Sequence, residues 1–285
     1  MRLYLDFKNF YYYIAQIISI MNKFCYGLFF IGVWILLGCN TPQKTSVKPD
    51  AVIKTNVGDI SIILYDETPI HKQNFLRLAR NGFFDSLLFH RIIADFMIQT
   101  GDPRTRNRQT LADTTMENDP GYKLEAEILT RYIHNFGKIG AAREPDEQNP
   151  ERKSSGSQFY IVTGDEILPE RLDQIEENYN IEEENKLFLQ YQQEIKDSTY
   201  SQSFENYLQE KNFQEFAYSP EQRATYYDEG GAPWLDFQYT IFGEVIAGFS
   251  VVSKISSVET NLSNSPLRDV RILTVEVVEE NEETN

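Results

Sequence analysis

The chain has 285 residues, of which 41% are hydrophobic and 25% charged, and its formal net charge is −16 at pH 7. This length allows one large domain or two small ones. The acidic balance argues against nucleic acid as a partner, because phosphate backbones are bound by basic surfaces.

The amino-terminal part differs in composition from the rest. Residues 24–37 are almost entirely apolar and are followed by Gly38 and Cys39. An apolar run of about 14 residues after a lysine has signal-peptide length and is shorter than the roughly 20 residues of a membrane-spanning helix. It ends in Leu-Leu-Gly-Cys, which resembles the bacterial lipoprotein box, where the cysteine is lipidated and becomes the first mature residue. We expect a signal peptide over 1–39, with an uncleaved membrane anchor as the alternative.

Two further observations bear on this segment. Either Met1 or Met21 can be the start of the signal, and the only other cysteine, Cys25, lies inside the apolar run. Asn40 favours outer-membrane sorting by analogy with enteric bacteria, and the polar residues 40–50 read as a tether. The predicted location is therefore the cell envelope, with a lipid anchor in the outer membrane and the folded part facing the periplasm.

The folded part begins with a predicted β-hairpin, formed by 51–57 and 60–65. Thr68 and Pro69 then predict the cap and first residue of a helix that ends at Gly82. Further short apolar runs predict strands at 87–93, 96–99, 138–142, 158–163, 240–245 and 270–278, and a second helix at 249–255. This order predicts a mainly β fold, a barrel with helices at its ends.

Residues 165–230 have a different composition. They contain 17 Asp and Glu but only 5 Lys and Arg, so −12 of the net charge of −16 lies here. Apolar residues at helical spacing predict one or two helices over 175–195 and another over 204–216. We interpret the segment as an acidic helical hairpin inserted into a barrel loop. It is either a solvated excursion packed on the barrel or a contact surface for a client protein.

The most informative stretch runs from Phe89 to Asp102. Two short strands flank a polar kink at Ala94-Asp95. Because side chains alternate between the faces of a strand, Arg91, Gln99 and either Phe96 or Met97 can converge on one face. An arginine beside Phe, Met and Gln indicates an apolar pocket with one strong hydrogen-bond donor at its edge.

This stretch resembles the signature of the cyclophilin family of peptidyl-prolyl cis-trans isomerases. Further motifs follow in the family's order at 68–75, 121–127, 155–161, 234–236 and 242–245. The resemblance covers about 51–164 and 232–280. It implies a closed eight-stranded antiparallel barrel capped by two helices, with 165–230 as a helical insertion, so we expect one domain over 51–280 and a tail over 281–285.

The chemistry that the resemblance implies is rotation about X–Pro bonds. The rotation barrier of a peptide bond is roughly 18–20 kcal/mol, because the nitrogen lone pair is delocalised into the carbonyl. Catalysis needs a pocket for the proline ring, a grip on the flanking backbone and a donor that draws the prolyl nitrogen out of conjugation. It needs no nucleophile, metal or cofactor, and His71, His90 and His134 are not spaced as zinc ligands.

The resemblance also assigns residues to these roles. Arg91 is the expected donor, and Gln99 is expected to steady it and to grip the substrate backbone. The expected substrate-binding residues are Phe96, Met97, Tyr160 and Leu235 as pocket walls, Ala142 and Arg143 on an edge strand that pairs with the peptide, Trp234 at the rim, and Gln158 and Tyr239.

Three residues depart from the family's usual pattern. Tyr160 stands where Phe is usual, Tyr239 where many eukaryotic members have His, and Arg143 where Asn is common. Tyr160 adds a hydroxyl at the pocket floor. We expect these changes to alter rate and substrate preference rather than to abolish activity.

The leading hypothesis is an envelope-anchored, monomeric prolyl isomerase whose partners are proline-containing unfolded or exported proteins and, through lipidated Cys39, the membrane. The first alternative is a proline-peptide-binding chaperone with residual catalysis, in which the helical insertion is the client surface. A second is a structural envelope lipoprotein with an inactive barrel, against which the retained Arg91, Gln99 and Trp234 argue.

Overall fold

The structure is a computed structural model that describes residues 47–106 and 120–279. The predicted signal peptide, the predicted lipidation site Cys39 and most of the predicted tether lie outside the described residues, as does the predicted tail. From Lys48 onward the described residues form one compact unit. Among them, no helix combines the length and the apolar character that a membrane span requires.

Ten strands occur in the described residues: β1 (Ala51–Thr55), β2 (Asp59–Leu64), β3 (Arg91–Ile93), β4 (Met97–Thr100), β5 (Lys123–Leu124), β6 (Lys138–Ala141), β7 (Ser154–Ser155), β8 (Phe159–Val162), β9 (Ile241–Ala247) and β10 (Ile272–Val277). Strands β5 and β7 form a separate pair. The other eight form one antiparallel sheet in the order β10-β1-β2-β9-β6-β8-β4-β3. The predicted strands are therefore confirmed in position, with shorter bounds in most cases.

The predicted closure of the barrel is wrong. The terminal strands β10 and β3 are not paired with each other, so the sheet is an open, curled half-barrel. The reason lies in the predicted strand 87–93, of which only the last three residues join the sheet. Ser86 has a φ of 66°, and the residues after it make one isolated bridge, from Leu88 to Arg271. Backbone hydrogen bonds such as Phe89 N to Val270 O, 2.9 Å, lie across the opening.

The described residues contain five α-helices: α1 (Pro69–Arg80), α2 (Pro169–Lys196), α3 (Phe204–Glu210), α4 (Pro220–Glu229) and α5 (Phe249–Ser256). The first begins at Pro69 as predicted, but the predicted cap is wrong, because the Thr68 hydroxyl donates to Tyr65 O. Glu127 replaces it. Its carboxylate accepts from the backbone N–H groups of Ile70 and His71, both at 3.0 Å, which satisfies orphan donors of the first turn.

Residues 165–230 are helical, but the predicted hairpin is only partly right. The first predicted region is a single helix of 28 residues, α2. Phe213 and Phe216 lie outside α3, and the sequence interpretation missed α4. That helix starts with a capping box, in which the Ser219 hydroxyl accepts from Gln222 N and the Gln222 side chain accepts from Ser219 N.

The apolar side chains form two large clusters. The first lies inside the curled sheet and includes residues of α1 and α5 such as Phe75 and Val252. The second is built mainly from the helical segment, with Leu172, Tyr218 and Tyr226 packed against Ile133 and Phe237. Phe237 directly follows the predicted site motif 234–236. The helical segment therefore packs next to the stretch that carries Trp234 and Leu235.

Candidate active site

The sheet register places the predicted site residues in rows across neighbouring strands. Arg91 on β3 pairs with Gln99 on β4, which pairs with Tyr160 on β8. Tyr160 in turn pairs with Gly140 on β6. Residues directly opposite each other share a face of the sheet. One row therefore runs from a cationic end at Arg91 to the aromatic ring of Tyr160.

A recess of about 100 Å³ opens at this row. It is lined by all the predicted catalytic and substrate-binding residues except Gln158 and Trp234, namely Arg91, Phe96, Met97, Gln99, Ala142, Arg143, Tyr160, Leu235 and Tyr239. Gln158 lines an adjoining hollow of about 140 Å³. Trp234 packs on Phe96 with ring centroids 5.4 Å apart, which puts it at the rim as predicted.

Arg91 is held at the edge of the recess by a chain of side-chain amides. Its Nη1 donates to Gln99 Oε1 at 3.3 Å, and Gln99 Nε2 donates to Gln158 Oε1 at 3.1 Å. The arginine is exposed, whereas Met97 beside it is 2% exposed. The predicted mechanism requires a hydrogen-bond donor that is held in place beside an apolar wall, and Arg91 has this arrangement. The catalytic roles of Arg91 and Gln99 remain predictions.

Ala142 and Arg143 line the recess but do not lie on a sheet edge as predicted. Strand β6 ends at Ala141 and is flanked by β8 and β9. The backbone N–H of Ala142 donates to Gln158 O at 3.0 Å, and its carbonyl accepts from Ser155 N at 2.8 Å. These backbone groups are therefore already used inside the chain.

The Arg143 side chain is buried and has a structural role. It is 3% exposed, its Nε donates to Gln238 O at 2.8 Å, and its guanidinium lies 4.5 Å from the centre of the Tyr239 ring. It also pairs with Asp146 at 2.5 Å. The charge of Arg143 is thus compensated within the chain, and the residue fixes Tyr239 at one side of the recess.

Tyr160 forms the floor. Its side chain is 4% exposed, and its hydroxyl is 2.9 Å from His134 Nε2. Burial raises the pKa of the Tyr160 phenol well above its usual value, so the group is neutral. Gly140 leaves room for the ring, because a Cβ at that position would lie 2.3 Å from Tyr160 Cζ.

Behind the floor lies a buried polar network that the sequence interpretation missed. Asp236 Oδ1 accepts from His134 N at 2.8 Å and lies 2.7 Å from His134 Nδ1. A carboxylate oxygen accepts, so Nδ1 donates to Asp236, and the other ring nitrogen, Nε2, lies 2.9 Å from the Tyr160 hydroxyl. The other oxygen, Oδ2, accepts from the hydroxyls of Tyr218 at 2.8 Å and Tyr226 at 2.5 Å.

This network connects the pocket floor to the helical segment. The side chains of His134 and Asp236 are both 0% exposed, so their hydrogen bonds are not replaced by water. A signal was present in the sequence, because Asp236 directly follows Trp234-Leu235 in the motif. Its partner His134 is 102 positions away along the chain, and no local pattern identifies Tyr218 and Tyr226 as partners either.

Comparison with known proteins agrees with this geometry. The family model "Cyclophilin type peptidyl-prolyl cis-trans isomerase/CLD" matches residues 51–277. A protein of Staphylococcus aureus (strain USA300) that is named a peptidyl-prolyl cis-trans isomerase is 28% identical over 238 residues, which cover 83% of this chain and 94% of the relative. A Streptococcus pyogenes protein named a bifunctional phosphatase/peptidyl-prolyl cis-trans isomerase is 29% identical over 232 residues, but this chain spans only 38% of its length.

Solved structures support the fold. A cyclophilin-type peptidyl-prolyl cis-trans isomerase of Cryptosporidium parvum superposes with a TM-score of 0.50 and 19% identity, covering 81% of this chain and 98% of that one. At this identity the likeness concerns the fold alone, an eight-stranded antiparallel half-barrel with helices. Since the family model spans most of the described residues, the chain belongs to the family of cyclophilin-type peptidyl-prolyl cis-trans isomerases.

Proposed function

We propose that this chain accelerates cis–trans isomerisation of X–Pro bonds by twisting the prolyl amide above the recess, with Arg91 as the donor. The observation that carries the proposal is the guanidinium of Arg91 held by Gln99 at the edge of an apolar hollow. Catalysis requires a pocket for the proline ring, a grip on the flanking backbone and a donor to the prolyl nitrogen. The hollow can hold the ring, side-chain amides can bind the flanking backbone, and Arg91 can donate to the nitrogen.

The physical argument concerns the difference between the planar and twisted amide. Twisting localises the lone pair on the prolyl nitrogen, which then becomes a hydrogen-bond acceptor. A guanidinium is always charged and offers its donors in a fixed plane, so it stabilises this nitrogen more than the planar ground state. The apolar walls, including Phe96 and Leu235, hold the ring while the preceding carbonyl rotates.

Substitution of Arg91 tests the mechanism. With residues 48–285 and a short proline peptide, Arg91→Ala should lower kcat/KM by about 10²–10³, the effect of losing one preorganised transition-state donor. Arg91→Lys keeps the charge but loses the planar fork, so an intermediate loss is expected. The matched control is Arg268→Ala, which removes an exposed arginine outside the recess. An Arg91→Ala enzyme as fast as the control would contradict the mechanism.

The proposed clients are unfolded or exported proteins that contain proline and that the enzyme encounters at the cell envelope. Support comes from the Leu-Leu-Gly-Cys sequence before a polar tether. We propose that Cys39 carries the lipid and that the folded unit faces the periplasm from the outer membrane. Cys39→Ser should move the protein from the membrane fraction to the soluble fraction, and mass spectrometry should find acyl chains on Cys39 in the unchanged protein. An unmodified Cys39 would contradict the anchor.

One observation favours chaperone activity as a second candidate. The three most exposed large apolar side chains on α2 are Ile181 at 51%, Phe188 at 40% and Leu189 at 66%. An acidic helix with such residues can hold unfolded clients without catalysis. Serine at all three positions should then weaken suppression of client aggregation while leaving isomerisation of a short peptide unchanged. Equal suppression by both proteins would remove this candidate.

A further inference from the structure

A second hollow lies on the other side of Trp234 from the proline recess. It has a volume of about 180 Å³ and lies between α2 and the short 3₁₀ helix Pro233–Leu235. Its apolar lining includes Ile175, Tyr179 and Phe237, and its polar lining includes Asn178 and Gln238. We call it the helix groove. It is larger than the recess and has no part in the mechanism described above.

The floor of the helix groove is firmly packed. The Tyr179 ring lies 5.1 Å from the Phe237 ring and 5.6 Å from the Phe216 ring. Phe237 is 7% exposed and belongs to the second apolar cluster. A hollow with such a floor is pre-formed, so a ligand does not have to order it.

The groove also offers free hydrogen-bonding groups. Within the described residues, the side-chain amides of Asn178 and Gln238 make no hydrogen bond. Each amide has donors and an acceptor that suit the backbone of an extended peptide. The apolar floor and these two amides together fit a segment of polypeptide with one bulky apolar side chain.

The groove and the recess are neighbours on the surface of the chain. Trp234 lines the groove and packs on Phe96, which lines the recess, with 5.4 Å between the ring centroids. Gln238 lines the groove, and its backbone carbonyl accepts from Arg143, which lines the recess. The packed rings of Trp234 and Phe96 therefore lie between the two hollows. Since an extended chain advances about 3.3–3.6 Å per residue, a residue roughly two to four positions from the proline reaches the groove.

We propose that the helix groove binds an apolar side chain of the same client whose proline lies in the recess, two to four positions away in its sequence. The proposal rests on the proposed isomerase function and gives it a sequence preference. The occupant follows from the position of the groove beside the recess, across the Trp234–Phe96 ring pair and the hydrogen bond from Arg143 to Gln238.

The test compares peptides of different length and sequence on residues 48–285. A short proline tetrapeptide reaches only the recess. A set of longer peptides carries one Leu at two, three or four positions before or after the proline, each matched by a peptide with Ala there. At one or more of these positions the Leu peptide should show about tenfold higher kcat/KM than its Ala match, the effect of burying much of one leucine side chain.

A substitution that fills the groove tests whether the groove causes the preference for Leu. Asn178→Trp puts a large side chain into the groove from an exposed position of α2 and should abolish the Leu preference while the tetrapeptide rate stays unchanged. The matched control is Asn185→Trp, at another exposed asparagine of the same helix that does not line the groove. Asn178→Arg, a soluble polar filler, provides a second variant if the tryptophan lowers the thermal midpoint.

The outcomes separate this proposal from the proposed function. Equal rates for Leu and Ala peptides at every position, or a Leu preference that survives both substitutions at Asn178, would overturn the groove proposal and leave the isomerase intact. Failure of the unchanged protein to turn over the tetrapeptide would overturn the proposed function itself.

Discussion

The sheet and the helical segment 165–230 contribute to the candidate site in different ways. The sheet supplies the groups that face a substrate, because its register aligns Arg91, Gln99 and Tyr160 in one row. The helical segment reaches the recess only indirectly, through the hydroxyls of Tyr218 and Tyr226 on Asp236. Orientation of the floor and contact with the isomerising bond are therefore carried by separate parts of the chain.

The helical segment itself has two unlike ends. Its base, formed by α4 and the first half of α2, is packed against the loop residues Ile133 and Phe237 through the second apolar cluster. Its tip, which we define as residues 184–211, has an aromatic cluster of its own, in which Tyr191 and Tyr207 lie 5.4 Å apart. Phe188 and Leu189 of the tip are exposed. We expect changes in the base to affect stability and the site, and changes in the tip to affect neither.

The largest effect on stability is expected from Asp236→Ala. It removes the acceptor of two His134 N–H groups and of two tyrosine hydroxyls, all buried. At about 1–3 kcal/mol per orphaned donor, the four donors sum to about 4–12 kcal/mol, so the free energy of unfolding should fall by about 4 kcal/mol or more. Urea denaturation measures this, with Asp228→Ala on the exposed face of α4 as the control. A loss as small as that of the control would mean that the network does not join the two regions.

A smaller effect is expected from Gly140→Ala, which changes the sheet side of the site and should lower kcat/KM. The new Cβ would lie 2.3 Å from Tyr160 Cζ, so the ring must shift out of the floor. A displacement of this size should lower kcat/KM for a short proline peptide by about tenfold, since misplacement by ~1 Å can cost even more.

The double variant Gly140→Ala/Tyr160→Leu separates crowding from loss of the floor. Leucine lacks the atoms that clash but also removes the hydroxyl beside His134 Nε2, so the free energy of unfolding should recover only in part relative to Gly140→Ala alone, and kcat/KM should stay low. If the single variant keeps the full rate, the position of the Tyr160 ring does not matter for catalysis.

The smallest effect is expected from replacing the tip by a short Gly/Ser linker. The contacts that close the base remain, including those of Asn180 with the Phe216 backbone at 2.7 and 2.9 Å. The tip has its own aromatic cluster and lines neither the recess nor the helix groove, so the base should keep its fold and kcat/KM for a short peptide should stay within experimental error. Circular dichroism and the peptide assay measure both quantities, and a tenfold loss of rate would show that the tip takes part in the site.

Local patterns were sufficient to predict much of the sheet and the recess. Alternation of side chains assigned Arg91 and Gln99 to one face, and the polar kink at Asp95, which has a φ of 55°, is the turn between β3 and β4. The family resemblance placed Tyr160 and Leu235 at the same hollow. These predictions depend on strand periodicity and on motif order, which are properties of short stretches.

The remaining features depend on pairs of residues that are distant in the sequence. Glu127 caps α1 from 57 positions beyond Ile70, so the local Thr68 signal was misleading. His134 and Asp236 are 102 positions apart, and only the folded chain joins them. The failure of β3 to pair with β10 likewise depends on how the sheet curls. No periodicity in one stretch reports such contacts.

Nuclear magnetic resonance titration with a short proline peptide tests most directly the claim that the sheet wall alone engages the isomerising bond. Backbone signals of Met97, Gln99, Tyr160 and Tyr239 should shift or broaden on addition of peptide, while those of α3 stay unchanged. Perturbations confined to the helical segment, with the signals of β4 and β8 unaffected, would contradict the account.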